Sequence, residues 1–191
     1  HDRRGGGRPM IPATADSLPA PALWPERVYT LPEVRYPLAI NVGAELLDRN
    51  AEGDGGGRPA VLSDGASLSY AELAERVNRL CHGLRALGLE RGDRVLLRLP
   101  NVPEFIVSWL ACQKLGLVTV ATMPMLRARE LAHVAQDAGT RAAIVWGGLR
   151  DELERARPQA PDLTTLIVAG EARKSDRTLE SLMTGRATVF A

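Results

Sequence analysis

Short apolar runs alternate with helix-like patterns from residue 94 onward. Runs at residues 94–99, 117–122, 141–146 and 164–169 predict strands, and the first three contain nearly continuous apolar stretches. Such stretches are typical of parallel strands that are buried on both faces. Because parallel strands need crossover connections, the alternation predicts an α/β fold, a mostly parallel sheet with helices on both faces.

Helices are predicted in the intervals between these strands. Asn101 is positioned to cap a helix that ends at Gly116, with Pro103 in its first turn. This helix is apolar nearly all round, which indicates that it is covered on most sides. Further helices are predicted at residues 127–138, 151–157 and 178–184.

A hairpin and an amphipathic helix precede this region. Asp64-Gly65 predicts a two-residue turn between a strand at residues 60–64 and a return strand at Leu68. Ser69 and Glu72 have the spacing of a capping box, so a helix is expected to begin there and to end at Gly88. Its apolar stripe consists of Leu73, Val77, Leu80, Leu84 and Leu87.

Composition divides the chain into three segments. Residues 1–22 are rich in Pro, Gly and Ala and are expected to be a disordered or vector-derived N-terminus. Residues 23–40 combine aromatic residues with prolines, which predicts an extended arm lying on a domain surface. Residues 41–191 form the α/β region, which opens with a short helix from Asn41 to Leu47.

Charge and cysteine content exclude several classes of protein. The 24 basic and 23 acidic residues leave a net charge of +1 without a basic stripe, which argues against a nucleic-acid partner. No apolar run approaches the ~18 residues of a membrane span. Cys81 and Cys112 are expected to be buried free thiols in a reducing compartment, which places the chain in the cytoplasm.

The residues by themselves predict no reaction. The sequence has no glycine-rich phosphate loop, no Gly-x-Ser-x-Gly elbow and no His-Glu-x-x-His motif. His82 and His133 are expected to face solvent, and three histidines do not make a metal site. Only Lys114 and Lys174 are available for lysine-dependent catalysis, so no catalytic residue and no metal ligand is assigned.

Several short motifs nevertheless occur in a recognisable order. They are Leu68-Ser69-Tyr70-Ala71-Glu72-Leu73, Gly92-Asp93-Arg94-Val95, Leu99-Pro100-Asn101 and Lys114-Leu115-Gly116. This order resembles the opening of the AMP-forming acyl-CoA synthetases of the adenylate-forming superfamily. The segments at residues 23–37 and 124–131 look like those of the 2-aminobenzoate–CoA ligase branch, which belongs to the aryl acid–CoA ligases.

The resemblance implies a two-step ligase reaction. A small-molecule carboxylate is activated with ATP and Mg²⁺ to an acyl-adenylate, and CoA then displaces AMP. Residues 41–191 would be the first part of the large N-terminal α/β domain, an incomplete portion of that fold truncated before the phosphate loop. Because the family's phosphate loop and catalytic lysine are not found in this sequence, we expect the chain alone to be inactive. We also expect it to bind none of these cofactors tightly without the missing C-terminal portion of its own chain.

The resemblance also implies one partial binding site. In CoA-forming relatives, a basic face near the corresponding helix can approach the CoA nucleotide phosphates. Arg127, Arg129 and His133 are the candidate cofactor-binding residues in this chain. The alternative is a solvated face on which Glu130 and Asp137 balance the charge.

Two other interpretations stay open. The chain could belong to a free-standing adenylation domain that loads a carrier protein. It could also be a non-catalytic α/β interaction module that binds a partner through exposed apolar surface.

Overall fold

The computed structural model describes residues 19–26, 28–35, 37 and 39–190. It divides into one unit that ends at Ile40 and a second unit that begins at Asn41. Residues 1–18 of the predicted N-terminal segment 1–22 lie outside the described residues.

The described residues of the first unit include two short 3-10 turns. Single 3-10 turns span Pro21–Leu23 and Pro32–Val34, and each has a proline at its start and extended backbone after it. The indole Nε1 of Trp24 donates a hydrogen bond to the carbonyl oxygen of Pro19 at 2.8 Å. That the arm lies on a domain surface stays a prediction.

The second unit has the predicted alternation of strands and helices. The strands are β1 (Pro59–Ser63), β2 (Ala66–Ser69), β3 (Arg94–Arg98), β4 (Val118–Ala121), β5 (Thr140–Trp146) and β6 (Thr165–Ala169). The helices are α1 (Arg49–Ala51), α2 (Tyr70–Ala86), α3 (Pro103–Leu115), α4 (Ala128–Asp137), α5 (Arg150–Ala156) and α6 (Leu179–Met183). Among the described residues, no helix combines the length and apolarity needed to cross a bilayer.

Helix α1 continues a π-helical segment, Ala44–Asp48, and the helical region starts directly after Asn41, which caps it as predicted. The side-chain oxygen Oδ1 of Asn41 accepts a hydrogen bond from the backbone N–H of Ala44 at 3.0 Å. The helical region extends to Ala51, four residues beyond the predicted end at Leu47.

Four strands form a parallel sheet in the order β4-β3-β5-β6. Strands β1 and β2 form a separate antiparallel hairpin around the two-residue turn Asp64-Gly65. Gly65 has a φ of 76°, a conformation that glycine adopts without a Cβ clash. The structure therefore confirms both the parallel sheet and the hairpin.

The sheet separates two apolar cores. Helices α2, α3 and α6 cover one face, against Val95 and Leu97 of β3. Helices α4 and α5 cover the other face, against Leu96 of β3 and Val145 of β5. Successive strand residues thus point to opposite sides, which confirms the predicted α/β architecture with helices on both faces.

Strand β4 is less buried than its apolar sequence predicts. Leu117 is buried, but Val118 to Val120 are only half-buried and Ala121 is exposed. Within the described residues β4 pairs only with β3, so it is an edge strand and its outer side lacks a neighbour. The expectation that this run is buried on both faces is therefore wrong.

Asn101 is not the cap of α3. The N-cap residue is Val102, which has extended backbone and provides no side-chain hydrogen bond. A residue that precedes proline is kept out of the helical region, so the helix begins at Pro103 itself. The predicted end is confirmed, because Gly116 closes the helix with a φ of 70°. Ile106 on this helix is 38% exposed, so α3 is not covered on every side.

Gly83 lies at the contact between α2 and α6, which makes it a test of their packing. A Cβ at this position would lie 2.6 Å from the carbonyl oxygen of Leu182. We expect Gly83→Ala to lower the free energy of unfolding by about 1–3 kcal/mol, because α6 must move away. Urea unfolding followed by circular dichroism measures this, with Gly57→Ala as the control because nothing lies within 4 Å of its added carbon. Equal stability of both variants would contradict the close contact.

The capping box at the start of α2 predicts a pH-dependent contribution to stability. The backbone N–H of Ser69 donates to Glu72 Oε2 at 2.8 Å, and that of Glu72 donates to Ser69 Oγ at 3.2 Å. The Ser69 backbone and side-chain hydrogen bonds lower the pKa of Glu72. Its contribution is therefore complete above the unfolded value of about 4.3 and is lost as pH falls through the lower folded pKa.

We expect the stability difference between the wild type and Glu72→Gln to shrink as the pH falls below about 4. Urea unfolding from pH 7 downward measures this difference. Glu75→Gln is the control, because it removes a carboxylate of the same helix that takes no part in the cap. A difference that stays constant with pH would show that the charge of Glu72 does not stabilise α2.

Candidate functional site

The three predicted phosphate-contacting residues lie at the N-cap and along the first two turns of α4, the helix that follows β4. Arg127 is the N-cap residue, with extended backbone, and Arg129 and His133 follow on the helix. Because Arg129 and His133 are four residues apart, they share one helix face. Both line an open surface depression, together with Leu126, Glu130, Val134, Gln136 and Gln159.

Arg127 takes a different position. Its guanidinium nitrogen Nη1 donates to Glu152 Oε1 on α5 at 3.3 Å, and its side chain is largely exposed. The structure therefore brings two of the three predicted residues together in the depression and holds the third against α5.

Arg129 and His133 are exposed, and nothing in the described part of the chain forms a hydrogen bond or ion pair with their side chains. The solvent exposure predicted for His133 is confirmed. Glu130 also lines the depression, but one of its carboxylate oxygens accepts from the backbone N–H of Arg127 at 2.8 Å. Guanidinium and imidazole donors beside one engaged carboxylate suit the binding of an anion.

Glu152 also belongs to this region, although no sequence motif marks it. Its Oε2 accepts from the backbone N–H of Ala128 at 2.9 Å, and Arg127 and Arg155 donate to its Oε1. The hydrogen bond from Ala128, with smaller contributions from Arg127 and Arg155, lowers the pKa of Glu152 against the opposing effect of burial. A carboxylate of α5 thus caps α4, a contact between helices that no local sequence signal reveals.

His82 is not the solvated residue that its helix position predicts. Its Nε2 lies 2.9 Å from the carbonyl oxygen of Val189, and its ring meets the Phe190 ring edge-on at 4.8 Å. The reason is that residues 188–190 cross the outer face of α2, where Asn78 Nδ2 also donates to the carbonyl oxygen of Thr188 at 2.7 Å.

Lys114 is held in a structural network. Its Nζ lies 2.7 Å from Asp48 Oδ2 and donates to Asn78 Oδ1 at 2.7 Å, and its side chain is only 7% exposed. The ammonium group therefore joins the N-terminal helical region to α2 and α3. Lys174, the other lysine, is exposed in the loop after β6.

The described residues contain neither an activated thiol nor a group of side chains placed to bind a metal ion. Cys81 and Cys112 are buried and free, as predicted. Burial raises the pKa of Cys81 to about 12 and also raises that of Cys112, so both thiols are protonated near neutral pH. No group of three or more His, Cys, Asp or Glu side chains in the described part of the chain is placed to hold a metal ion.

Comparison with known proteins assigns the family. A family model described as AMP-binding enzyme matches residues 47–186. Triostin synthetase I of Streptomyces triostinicus is 38% identical over 120 residues, which are 61% of this chain and 22% of that protein. Benzoate–CoA ligase of Thauera aromatica is 33% identical over 144 residues, which are 75% of this chain and 27% of that protein.

A solved structure agrees with this assignment at the level of the fold. The anthranilate–CoA ligase AuaEII, in complex with anthranoyl-AMP, superposes with a TM-score of 0.73 at 21% identity. The superposition covers 78% of this chain and 29% of AuaEII, so the chain spans less than a third of the length of each of these proteins. Since the family model covers most of the α/β unit, the chain belongs to the AMP-binding enzyme family, which confirms the family predicted from its sequence.

Proposed function

We propose that this chain forms the first part of the large α/β domain of an AMP-forming acid–CoA ligase. The observation that carries the proposal is the 33% identity to benzoate–CoA ligase across 75% of the chain. The motifs at residues 23–37 and 124–131 favour 2-aminobenzoate or a similar aromatic acid as the carboxylate. The two buried free thiols favour a cytoplasmic location.

The proposed reaction has two steps. An oxygen of the carboxylate attacks the α-phosphorus of ATP, and the bond to the departing pyrophosphate breaks. The sulfur of CoA then attacks the acyl carbon of the adenylate, AMP leaves and the thiol proton passes to solvent. Mg²⁺ would neutralise the phosphates, and the described residues contain no group of three or more His, Cys, Asp or Glu side chains placed to hold it.

The depression beside α4 is our candidate for contact with the CoA nucleotide phosphates. Arg129 and His133 support this role because their donors are exposed and lack partners within the described residues. Arg127 would join them by exchanging its bond to Glu152 for a phosphate oxygen. The guanidinium fork of Arg129 matches phosphate geometry and makes it the principal contact.

Arg129→Ala tests this contact in the complete product of the gene that encodes this sequence. We expect the KM for CoA to rise about tenfold, because a charge-assisted hydrogen bond is lost. ATP–pyrophosphate exchange should be unchanged, since the adenylation step does not involve CoA. Arg49→Ala is the control, an exposed arginine that pairs with Glu45 on the N-terminal helical region. An unchanged KM for CoA in Arg129→Ala would leave only the solvated-face interpretation.

A second prediction concerns catalysis by the chain itself. Purified residues 1–191 should show no ATP–pyrophosphate exchange with 2-aminobenzoate, because the phosphate-loop and lysine motifs of the family are not in this sequence. The complete gene product should show exchange and form the acyl-CoA, detected by mass spectrometry. Exchange by residues 1–191 would contradict the first expectation. Failure of the complete product to form any aromatic acyl-CoA would contradict the proposed function.

A free-standing adenylation domain that loads a carrier protein is the second candidate function. It is favoured by the 38% identity over 120 residues to triostin synthetase I. The two functions differ in the acceptor of the acyl group, so parallel assays with CoA and with a phosphopantetheinylated carrier protein separate them. A purely non-catalytic module would use neither acceptor.

A further inference from the structure

Arg98 is a buried arginine at the carboxyl end of β3, and only 1% of its surface is exposed. Its guanidinium donates four hydrogen bonds, all to backbone carbonyl oxygens. The acceptors are Met123 at 3.0 Å, Pro124 at 3.0 Å, Leu126 at 2.7 Å and Leu149 at 3.2 Å. One side chain thus connects the last residue of β3 to the segments that follow β4 and β5.

Three of these acceptors belong to the loop between β4 and α4. The side chains of Met123 and Met125 in this loop are exposed, whereas Leu126 is partly buried against the core beneath α4, so apolar contacts hold the end of the loop next to α4. Arg98 holds its backbone from the inside, and Glu152 holds the following residue, Ala128, through its N–H. This loop leads directly into Arg127 and the helix that carries Arg129 and His133.

The chemistry of the contact requires an arginine. The guanidinium group presents five N–H donors in a rigid fork, which suits carbonyl oxygens spread around its plane. A lysine ammonium group has three donors on a single atom and reaches fewer of them. Burying the charge is costly, so its position is explained by the four carbonyl groups that it satisfies.

We propose that Arg98 is a positioning residue for the CoA-dependent step of the reaction. It fixes the backbone of residues 123–126 and so sets where Arg129 and His133 meet the CoA phosphates. Its donors are directed to carbonyl oxygens, and it is buried, so it acts through the loop rather than on the phosphates. The inference rests on the function proposed above.

Arg94 provides a matched control at the other end of the same strand. Its guanidinium donates to the carbonyl oxygens of Ala138 at 2.8 Å, Gly139 at 3.0 Å and Gly92 at 3.2 Å. The two arginines therefore make the same kind of contact at opposite ends of β3. Only Arg98 contacts the loop that precedes the phosphate-binding candidates.

The experiment compares Arg98→Lys with Arg94→Lys in the complete gene product. We expect Arg98→Lys to raise the KM for CoA about tenfold, because misplacing a binding group weakens its contact with the phosphates. The KM for ATP and the rate of ATP–pyrophosphate exchange should stay within about twofold of the wild type. Arg94→Lys should leave the KM for CoA within about the same limit.

Three results would overturn the proposal. They are an unchanged KM for CoA in Arg98→Lys, an equal loss in both half-reactions, or an equal rise in KM for CoA in Arg94→Lys. Each would mean that Arg98 supports the fold in general and does not position this site.

Hydrogen exchange gives a second measurement that does not depend on activity. The Leu126 amide donates to the carbonyl oxygen of Met123 at 3.2 Å. In the wild type we expect this amide to exchange only when the sheet opens, and in Arg98→Lys to exchange at least about tenfold faster. If Arg98→Lys does not fold, the wild-type measurement alone tests the proposal. Exchange of the Leu126 amide through a local opening of the loop, without opening of the sheet, would overturn it. If the wild-type protein forms no acyl-CoA, the proposed function fails, and the exchange data still show whether Arg98 holds the loop.

Discussion

The pairing of β3 with β4 on one side and β5 on the other is the interaction on which the rest of the structure depends. The side chains of β3 alternate between the two cores. Val95 and Leu97 lie on one face and Leu96 lies on the other, and all three are fully buried. A slip of one residue would exchange the faces and place each side chain in the wrong core. The register of this strand therefore determines where the helices on both faces pack.

The connections that follow β3 and β5 leave the carboxyl edge of the sheet in opposite directions. The connection after β3 leads through α3 to β4 on one side, whereas the connection after β5 leads through α5 to β6 on the other. In open parallel sheets, ligands bind at the carboxyl edge where neighbouring connections diverge in this way. Arg98 and the start of α4 both lie on that edge, where the binding site is proposed, whereas the turn that Arg94 contacts lies on the opposite edge.

Most elements were predictable because their signals are local. The Ser69–Glu72 capping box, the Asp64-Gly65 turn and the glycine at the end of α3 depend on residues that are close in sequence. Predictions failed where the environment of a residue depends on parts of the chain that are distant in sequence. The apolar run of β4 resembles a central strand although it lies at an edge, and His82 is covered by the distant residues 188–190.

The candidate site divides in the same way. The sequence by itself determined the order of strands and helices, the family and the basic residues at the start of α4, because periodicity, capping and motif order are written along the chain. Only the tertiary structure decided that Arg129 and His133 share a depression while Arg127 pairs with Glu152, and that Arg98 holds the loop before them. The contacts of Arg127 with Glu152 and of Arg98 with the loop join residues 25 or more positions apart, whose distances depend on the packing of the sheet and its helices.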